Sequence, residues 1–196
     1  MIVSYNELLE LRDMGVIEGS AEGSVNASSI DVRLGNFIQI ERAPAFKGQV
    51  KARILADRQP LDFQEVALRE QPQGWILEPG EFILAHTLET FNLPMDISAE
   101  FRLKSSVARM GISHALAVWC DPGWHGSSLT LELYNISRYH AIIIGAGDKI
   151  GQMIFHRHEP VPHEKSYRVK GAYNNDPGAQ PTKPERPGPE TKTINI

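Results

Sequence analysis

The chain has 196 residues, of which 41% are hydrophobic and 22% charged, with a net charge of -4. These totals predict one globular domain, or one domain with a tail. The acidic balance, without any basic run, argues against a nucleic-acid polymer as partner, although a nucleotide needs only a few local cations. The one cysteine, Cys120, excludes an internal disulfide. No apolar stretch approaches the roughly 20 residues of a membrane span, and the N-terminus lacks a signal pattern, so we expect a cytoplasmic protein with no membrane partner.

The N-terminal sequence predicts a short helix over about residues 5–14. Ser4 and Glu7 have the spacing of a capping box, and apolar residues then recur at helical intervals. Residues 18–29 are rich in Gly, Ser and Asn, which is typical of a loop.

After this loop, short segments with the apolar patterns of β-strands alternate with glycine and proline turns. These segments are residues 30–34, 37–40, 75–77, 82–87, 112–119, 129–134, 140–144 and 150–156. Residues 41–70 are mixed and charged and support no firm assignment. Many short strands separated by turns predict a mainly β fold, either a β-sandwich, a jelly roll or a barrel.

The composition changes near residue 160, where proline and glycine become frequent and apolar residues become scarce. Such a segment buries too little apolar surface to offset the entropy of ordering. The sequence therefore predicts a β domain over residues 1–160. Residues 161–196 are expected to form a tail that is flexible or that orders on a ligand or a neighbouring subunit.

Glu132 is the first candidate for chemistry. It lies in the segment Leu129–Tyr134, where leucines alternate with polar residues, so it occupies mid-strand on the polar face. An ordinary solvated glutamate fits this pattern. A general base whose pKa is raised by partial burial fits it as well.

A second candidate cluster spans residues 102–109. If this segment is helical, Ser105 and Arg109 lie four residues apart on one face. A hydroxyl and a guanidinium together suit a phosphate or a positioned water. A helix cap with a surface arginine explains the same pattern.

The histidines have no metal-site spacing, so we expect no metal held by protein side chains. Zinc-dependent nucleobase deaminases use an H-x-E…P-C-x-x-C arrangement, which a chain with one cysteine cannot form. If the protein deaminates a base, a side chain must activate the water.

Six segments, taken in order, together resemble the dCTP deaminase family of the dUTPase-like superfamily. They are residues 27–35, 77–89, 104–111, 121–124, 131–133 and 150–152. The resemblance implies a homotrimer of distorted jelly-roll subunits with a short N-terminal helix and active sites at the subunit interfaces. It also implies dCTP as substrate, with Mg²⁺ on its phosphates, and hydrolysis to dUTP and ammonia without zinc.

The resemblance also implies roles for individual residues. Glu132 is expected to be the proton-shuttling base, while Ser105 and Arg109 of a neighbouring subunit hold the catalytic water. The phosphates are expected to bind at the 104–109 loop and at the tail. The deoxyribose is expected at the turn that begins with residue 121, and the cytosine edge at backbone groups of the strand that carries Glu132. The residues expected to bind substrate in these places are Lys104, Ser106, Ala117, Asp121, Thr130, Leu131, Gln152, Tyr167, Lys170 and Tyr173.

Two other functions stay open. One is dUTP diphosphatase activity, alone or combined with deamination; Val118, where bifunctional relatives tend to have glycine, favours deamination alone. The other is a non-catalytic nucleotide-binding trimer on the same fold. Retention of Glu132, Ser105 and Arg109 favours an enzyme.

Overall fold

A computed structural model describes residues 1–42, 49–52, 55, 58, 60–183 and 192–195. Within these residues the chain is mainly β, as the turn-rich sequence predicts. The helices are α1 (Tyr5–Asp13), α2 (Ser105–Arg109) and α3 (Tyr167–Lys170), with 3₁₀ turns at Leu68–Glu70 and His163–Lys165. The strands are β1 (Ile17–Glu18), β2 (Ile30–Arg33), β3 (Phe37–Glu41), β4 (Gln49–Ala52), β5 (Phe63–Ala67), β6 (Trp75–Leu77), β7 (Phe82–His86), β8 (Thr90–Asn92), β9 (Ile97–Leu103), β10 (Ile112–His114), β11 (Trp119–Cys120), β12 (His125–Ser127), β13 (Thr130–Asn135), β14 (Ile142–Ile144), β15 (Lys149–Arg157) and β16 (Lys192–Asn195).

The strands form a distorted antiparallel sandwich. Its largest sheet has five strands in the order β10-β13-β7-β3-β5, and the second has four in the order β11-β9-β15-β2. A three-stranded sheet, β1-β8-β12, and two-stranded ribbons complete the described arrangement. The order is far from the sequence order, so the two main sheets hold distant parts of the chain together.

One hydrophobic cluster lies between these layers. The five-stranded sheet contributes Leu131 and Leu133, and the four-stranded sheet contributes Phe101 and Phe155, all of them fully buried. Burying a side chain of this size stabilises the fold by about 1.5–3 kcal/mol. The core therefore sets the orientation of β13, because exposing Leu131 and Leu133 to water would cost this stabilisation.

The predicted N-terminal helix is confirmed, but the predicted capping box is wrong. Ser4 is the N-cap residue without a side-chain cap hydrogen bond. The Glu7 carboxylate instead accepts a hydrogen bond from the Arg157 guanidinium at the end of β15. A charged partner offers a stronger hydrogen bond than a backbone amide, so a tertiary contact replaces the local one.

Two further segments differ from the sequence prediction. Residues 41–70, left unassigned, contain β4 and β5, although residues 43–48 lie outside the described part. The predicted strand 112–119 is wrong in its middle, because β10 ends at His114 and β11 begins at Trp119. Leu116 between them adopts φ 64°, which a continuing strand does not allow.

Among the described residues, no helix is long and apolar enough to cross a membrane. Part of the predicted tail, residues 184–191 and 196, lies outside the described residues.

Candidate active site

Glu132 lies on β13, the second strand of the five-stranded sheet, between β10 and β7. Leu131 and Leu133 are fully buried in the core, whereas Thr130 and Glu132 on the other face are half-buried. The alternation predicted from the sequence is therefore confirmed. It directs the carboxylate away from the core and into a pocket.

This pocket has a volume of about 420 Å³, which lies within the usual range of ligand sites. Phe63, Phe82 and Leu84 give the pocket an apolar part of its lining, and Leu84 lies directly opposite Glu132 on the neighbouring strand β7. Six of the residues that the sequence singled out line it: Ala117, Asp121, Thr130, Glu132, Tyr167 and Tyr173.

Burial shapes the chemistry of the Glu132 carboxyl group. Its side chain is only 26% exposed. Burial raises the pKa of Glu132 above the ordinary value of a glutamate, against a smaller lowering by a backbone hydrogen bond. A carboxylate with a raised pKa accepts a proton from water more readily than an exposed one, which suits a general base.

His114 is the nearest charged or titratable neighbour that the structure gives for Glu132. The distance between His114 Nε2 and Glu132 Oε2 is 3.3 Å, and the histidine side chain is 3% exposed. Neither atom completes a hydrogen bond with a described residue. The contact is close enough for electrostatic attraction but is not aligned as a hydrogen bond.

The tautomer of His114 follows from its other ring nitrogen. Nδ1 accepts a hydrogen bond from the backbone N–H of Leu116 at 3.1 Å. Burial lowers the pKa of His114 to about 4, so the ring is neutral near pH 7. A neutral ring that accepts at Nδ1 carries its proton on Nε2, the ring nitrogen that lies 3.3 Å from the carboxylate.

The broken strand between β10 and β11 forms one side of the pocket. The backbone N–H of Ala115 donates to the carbonyl of Glu132 at 3.1 Å, and Ala117 follows at the lining. Trp119 Nε1 donates to Asp121 Oδ1 at 3.0 Å. The irregular backbone around Leu116 thus brings both a histidine and a pocket wall to the carboxylate.

The turn at residues 121–124 connects this wall to the chain segment after residue 160. Gly123 adopts φ 84°, and a Cβ there would lie 3.1 Å from the Ser166 Cβ, so glycine is required for the close approach. The Tyr167 backbone N–H donates to the Pro122 carbonyl at 2.9 Å. Tyr167 is thereby held at the pocket.

Residues 171–183, named here the C-terminal strap, cover the other side of the pocket. Trp124 Nε1 and Ser127 Oγ each donate to the Tyr173 carbonyl at 2.8 Å. Farther along, the Gln180 N–H donates to Oγ1 of Thr130, two residues before Glu132 on the same face of β13, at 3.0 Å. Gln39 Nε2 donates to the Ala179 carbonyl at 2.8 Å, so the strap bonds to two strands of the five-stranded sheet.

The remaining residues singled out by the sequence lie outside this lining. Ser105, Ser106 and Arg109 are exposed on α2, as is Lys170 on α3. Lys104 and Gln152 bond to other residues of the chain. Lys104 Nζ lies 2.6 Å from Asp31 Oδ1, and Gln152 Oε1 accepts a hydrogen bond from Ser29 Oγ at 3.0 Å. The side chain of Leu131 is buried in the core.

The structure also brings in residues that sequence reasoning missed. His114, Asp176 and Gln180 gain their positions from strand pairing and from the strap. The sequence alone indicated His114 as a core or surface histidine rather than a metal ligand. Its contact with Glu132 depends on the register that sets His114 opposite Leu133, which no local pattern reveals. Among the described residues, no group of three or more His, Cys, Asp or Glu side chains is arranged to hold a metal ion.

Fold and site together define a mainly β protein with a ligand-sized pocket built on a half-buried carboxylate. A sequence model described as dCTP deaminase-like matches residues 2–158. The chain belongs to the dCTP deaminase-like family, and the predicted resemblance is confirmed.

Individual relatives agree with this assignment. A Nanoarchaeum equitans protein named dCTP deaminase, dUMP-forming, is 34% identical over 201 residues, covering 91% of this chain and 95% of that protein. A Pseudarthrobacter chlorophenolicus protein of the same name is 37% identical over 143 residues, covering 72% of this chain and 71% of that protein.

A solved structure supports the fold. The 2′-deoxycytidine 5′-triphosphate deaminase of Agrobacterium tumefaciens is similar with a TM-score of 0.61 and 26% identity. The match covers 80% of this chain and 48% of that one, so this chain spans about half the length of that relative.

Proposed function

We propose that this protein deaminates dCTP by hydrolysis and that Glu132 is the base that moves the protons. The observation that carries the proposal is the position of Glu132, a carboxylate with a raised pKa in a ligand-sized pocket of a chain from the dCTP deaminase-like family. Relatives with dCTP deaminase in their names support dCTP as the substrate.

The proton transfers balance with one carboxylate. Water attacks C4 of cytosine and gives a proton to Glu132, which passes that proton to N3 of the ring, so that a tetrahedral intermediate with a hydroxyl and an amino group on C4 forms. The carboxylate then takes the proton of the C4 hydroxyl and delivers it to the amino group, the C4–N bond breaks, and ammonia leaves. The carbonyl of the uracil ring remains, and Glu132 returns to its ionised state.

His114 has a positioning role in this scheme. Its Nε2, which carries the ring proton, lies 3.3 Å from Oε2 of Glu132. It attracts the ionised carboxylate without supplying a full positive charge, which would lower the pKa of Glu132 much further. The free carboxylate oxygen is left to take the proton from water.

A homotrimer with shared sites explains the second cluster. Ser105 and Arg109 are exposed on α2 and do not line the described pocket of their own chain. Their side chains make no hydrogen bond with a described residue. In a trimer they would reach the pocket of a neighbouring subunit, where they would hold the attacking water beside Glu132. The Lys104–Arg109 segment would bind the phosphates of dCTP, which carry Mg²⁺ as part of the substrate.

The activity is tested by incubating the purified protein with dCTP, dCMP and dUTP while ammonia and pyrophosphate are followed together. Release of ammonia from dCTP supports the proposal. Pyrophosphate from dUTP without ammonia from dCTP would indicate a dUTP diphosphatase alone. Absence of both products, from a protein that still binds dCTP, would leave the non-catalytic nucleotide-binding trimer.

A second candidate function adds a phosphate hydrolysis to the deamination. The observation that favours it is the name dUMP-forming, which the relatives share. Val118, which favours deamination alone, points in the opposite direction. The same assay separates the two: dUTP and ammonia are the products of deamination alone, whereas pyrophosphate and dUMP appear if both steps occur.

A further inference from the structure

The pocket differs in chemistry on the two sides of the strand that carries Glu132. On the β10 side the lining includes Trp119 and Asp121, and it continues to Tyr167, which is bonded to the turn at residues 121–124. On the β7 side, β7, β5 and the residues just before β5 contribute five side chains to the described lining, all of them apolar. These five, named here the apolar recess, are Pro60, Leu61, Phe63, Phe82 and Leu84.

The apolar recess begins beside the carboxylate and extends across the sheet. Leu84 lies directly opposite Glu132 in the register of β13 and β7. β3 separates β7 from β5, so Phe63 on β5 lies two strand spacings from β7, or roughly 10 Å. Gln39 on β3 holds the C-terminal strap over this part of the sheet through the Ala179 carbonyl. Pocket space therefore continues well beyond the carboxylate on the β7 side.

The order of atoms in the cytosine ring decides which of them suits the recess. N1, which carries the sugar, and C4, which reacts, are opposite corners of the ring. A sugar hydroxyl requires hydrogen-bond partners, which the Asp121 side of the pocket offers and the apolar recess does not. C4 lies at Glu132 in the proposed reaction, and its two ring neighbours are N3, which takes a proton, and C5, which makes no hydrogen bond. C5 is thus the neighbour that suits apolar side chains.

We propose that the apolar recess accepts a small apolar substituent on C5 of the cytosine ring, so that 5-alkyl deoxycytidine nucleotides are substrates of this protein together with dCTP. An added methyl group would displace water from apolar side chains, which favours binding. Water replaces the C4 amino group as in dCTP, so 5-methyl-dCTP and water give dTTP and ammonia. The proposal rests on the proposed function for the position of C4 at Glu132.

The test measures Kd by calorimetry in a Glu132→Gln background that prevents turnover. The ligands are dCTP and its 5-methyl, 5-propynyl and 5-hydroxymethyl derivatives, each with MgCl₂. 5-Methyl-dCTP should bind about threefold or more tighter than dCTP, and 5-propynyl-dCTP about twofold or more tighter again. 5-Hydroxymethyl-dCTP should lack this advantage, because the side chains of the recess offer its hydroxyl no partner. The stoichiometry of each titration reports the folded fraction of the protein.

Two variants change the recess at different depths. Leu84→Phe fills the space beside Glu132 and should weaken 5-methyl-dCTP relative to dCTP by about tenfold or more. Phe63→Asn places an amide at the far end, so it should remove the advantage of 5-propynyl-dCTP over 5-methyl-dCTP while 5-methyl-dCTP still binds tighter than dCTP. Phe37→Asn is the matched control and should keep both ratios. Phe37 is half-buried on the same face of the sheet but is not part of the described lining.

The outcomes separate the recess from the reaction. Equal or weaker binding of 5-methyl-dCTP than of dCTP overturns the proposal, as does a 5-hydroxymethyl derivative that binds as tightly as the 5-methyl one. A 5-methyl preference that survives Leu84→Phe overturns it as well. If Leu84→Phe does not fold, Phe63→Asn decides, because an equal change for all four ligands would contradict a recess at C5.

Ammonia release by the parent protein completes the test, and 5-methyl-dCTP should yield ammonia as dCTP does. If neither nucleotide yields ammonia while the binding preference stands, the proposed function fails and the assignment of the recess remains. Ammonia from dCTP without binding of 5-methyl-dCTP would overturn the recess alone.

Discussion

At the scale of single residues, the central pair is Glu132 with His114. The sequence was sufficient to place Glu132 on a polar strand face, because the leucines on either side must enter the core. It was not sufficient to choose between a solvated glutamate and a buried base. That choice depends on burial by the strap and by the loop around Leu116, both of which are tertiary features.

The pH dependence of turnover follows from the raised pKa of Glu132. The reaction starts from the ionised carboxylate, so kcat should fall as pH decreases through the pKa of this group. Because burial raises that pKa, the loss should occur at a higher pH than the ordinary value of 4.5 for a glutamate. A profile of kcat against pH from about 4 to about 9, which spans the reference pKa values of glutamate and histidine, tests this. An acid limb at or below the ordinary glutamate value would contradict it.

The stability of the protein should depend on pH through His114. Burial lowers its folded-state pKa from 6.5 to about 4, so the unfolded chain binds more protons between these values. The contribution of His114 to the free energy of unfolding is therefore fully present above pH 6.5. It decreases by roughly 3 kcal/mol as the pH falls towards 4. Unfolding curves at fixed protein concentration should show a shallower acid loss for His114→Gln than for the parent. Parallel pH dependences would show that His114 is not buried as a neutral ring.

At the scale of elements, the sequence predicted the strands and turns whose structure depends on residues close together in the chain. The strand around Glu132 and the turn at residues 121–124 were found because alternation and Pro-Gly chemistry act within a few residues. The predicted capping box was wrong because the Glu7 carboxylate accepts a hydrogen bond from Arg157, which is far away in the sequence. The prediction of one strand over residues 112–119 was wrong because the Leu116 backbone N–H donates to the His114 side chain and turns the chain there. The alternation of apolar and polar residues carries no information about this hydrogen bond.

The C-terminal strap gives an element-scale prediction. Gly126 has φ 65°, and a Cβ there would lie 2.4 Å from Asn175 Oδ1, so Gly126→Ala should displace the Asn175 side chain, loosen the strap at this contact and raise the KM for dCTP. Gly147→Ala is the matched control, since Gly147 has φ 86° with nothing within 4 Å of the added Cβ. Both substitutions incur similar backbone strain of about 1–2 kcal/mol. Equal KM values in the two variants would show that the strap does not take part in binding.

At the scale of the whole molecule, the proposed site draws on two neighbouring chains. The carboxylate, the turn at residues 121–124 and strap residues meet in one pocket, while α2 presents Ser105 and Arg109 on the surface. The sequence could indicate this division only through the family resemblance, because spacing within one chain carries no information about a neighbouring subunit.

Mixed oligomers test this division directly. Glu132→Gln and Arg109→Ala homo-oligomers should each be nearly inactive. An equal random mixture should regain up to about one quarter of the sites, each pairing an intact Glu132 from one subunit with an intact Arg109 from the next. Ammonia release measured before and after subunit exchange gives the result. Failure to regain activity in confirmed mixed oligomers would place the whole site within one chain.

The role of Glu132 is tested most directly by Glu132→Gln, with Glu10→Gln on α1 as a control that removes the same charge away from the pocket. Ammonia release from dCTP by Glu132→Gln should fall by at least about a hundredfold, in line with loss of general acid–base catalysis. Calorimetry should show that dCTP still binds, and Glu10→Gln should retain full activity. Near-parental deamination by Glu132→Gln would contradict the account, because a side-chain amide cannot carry a proton from water to the ring.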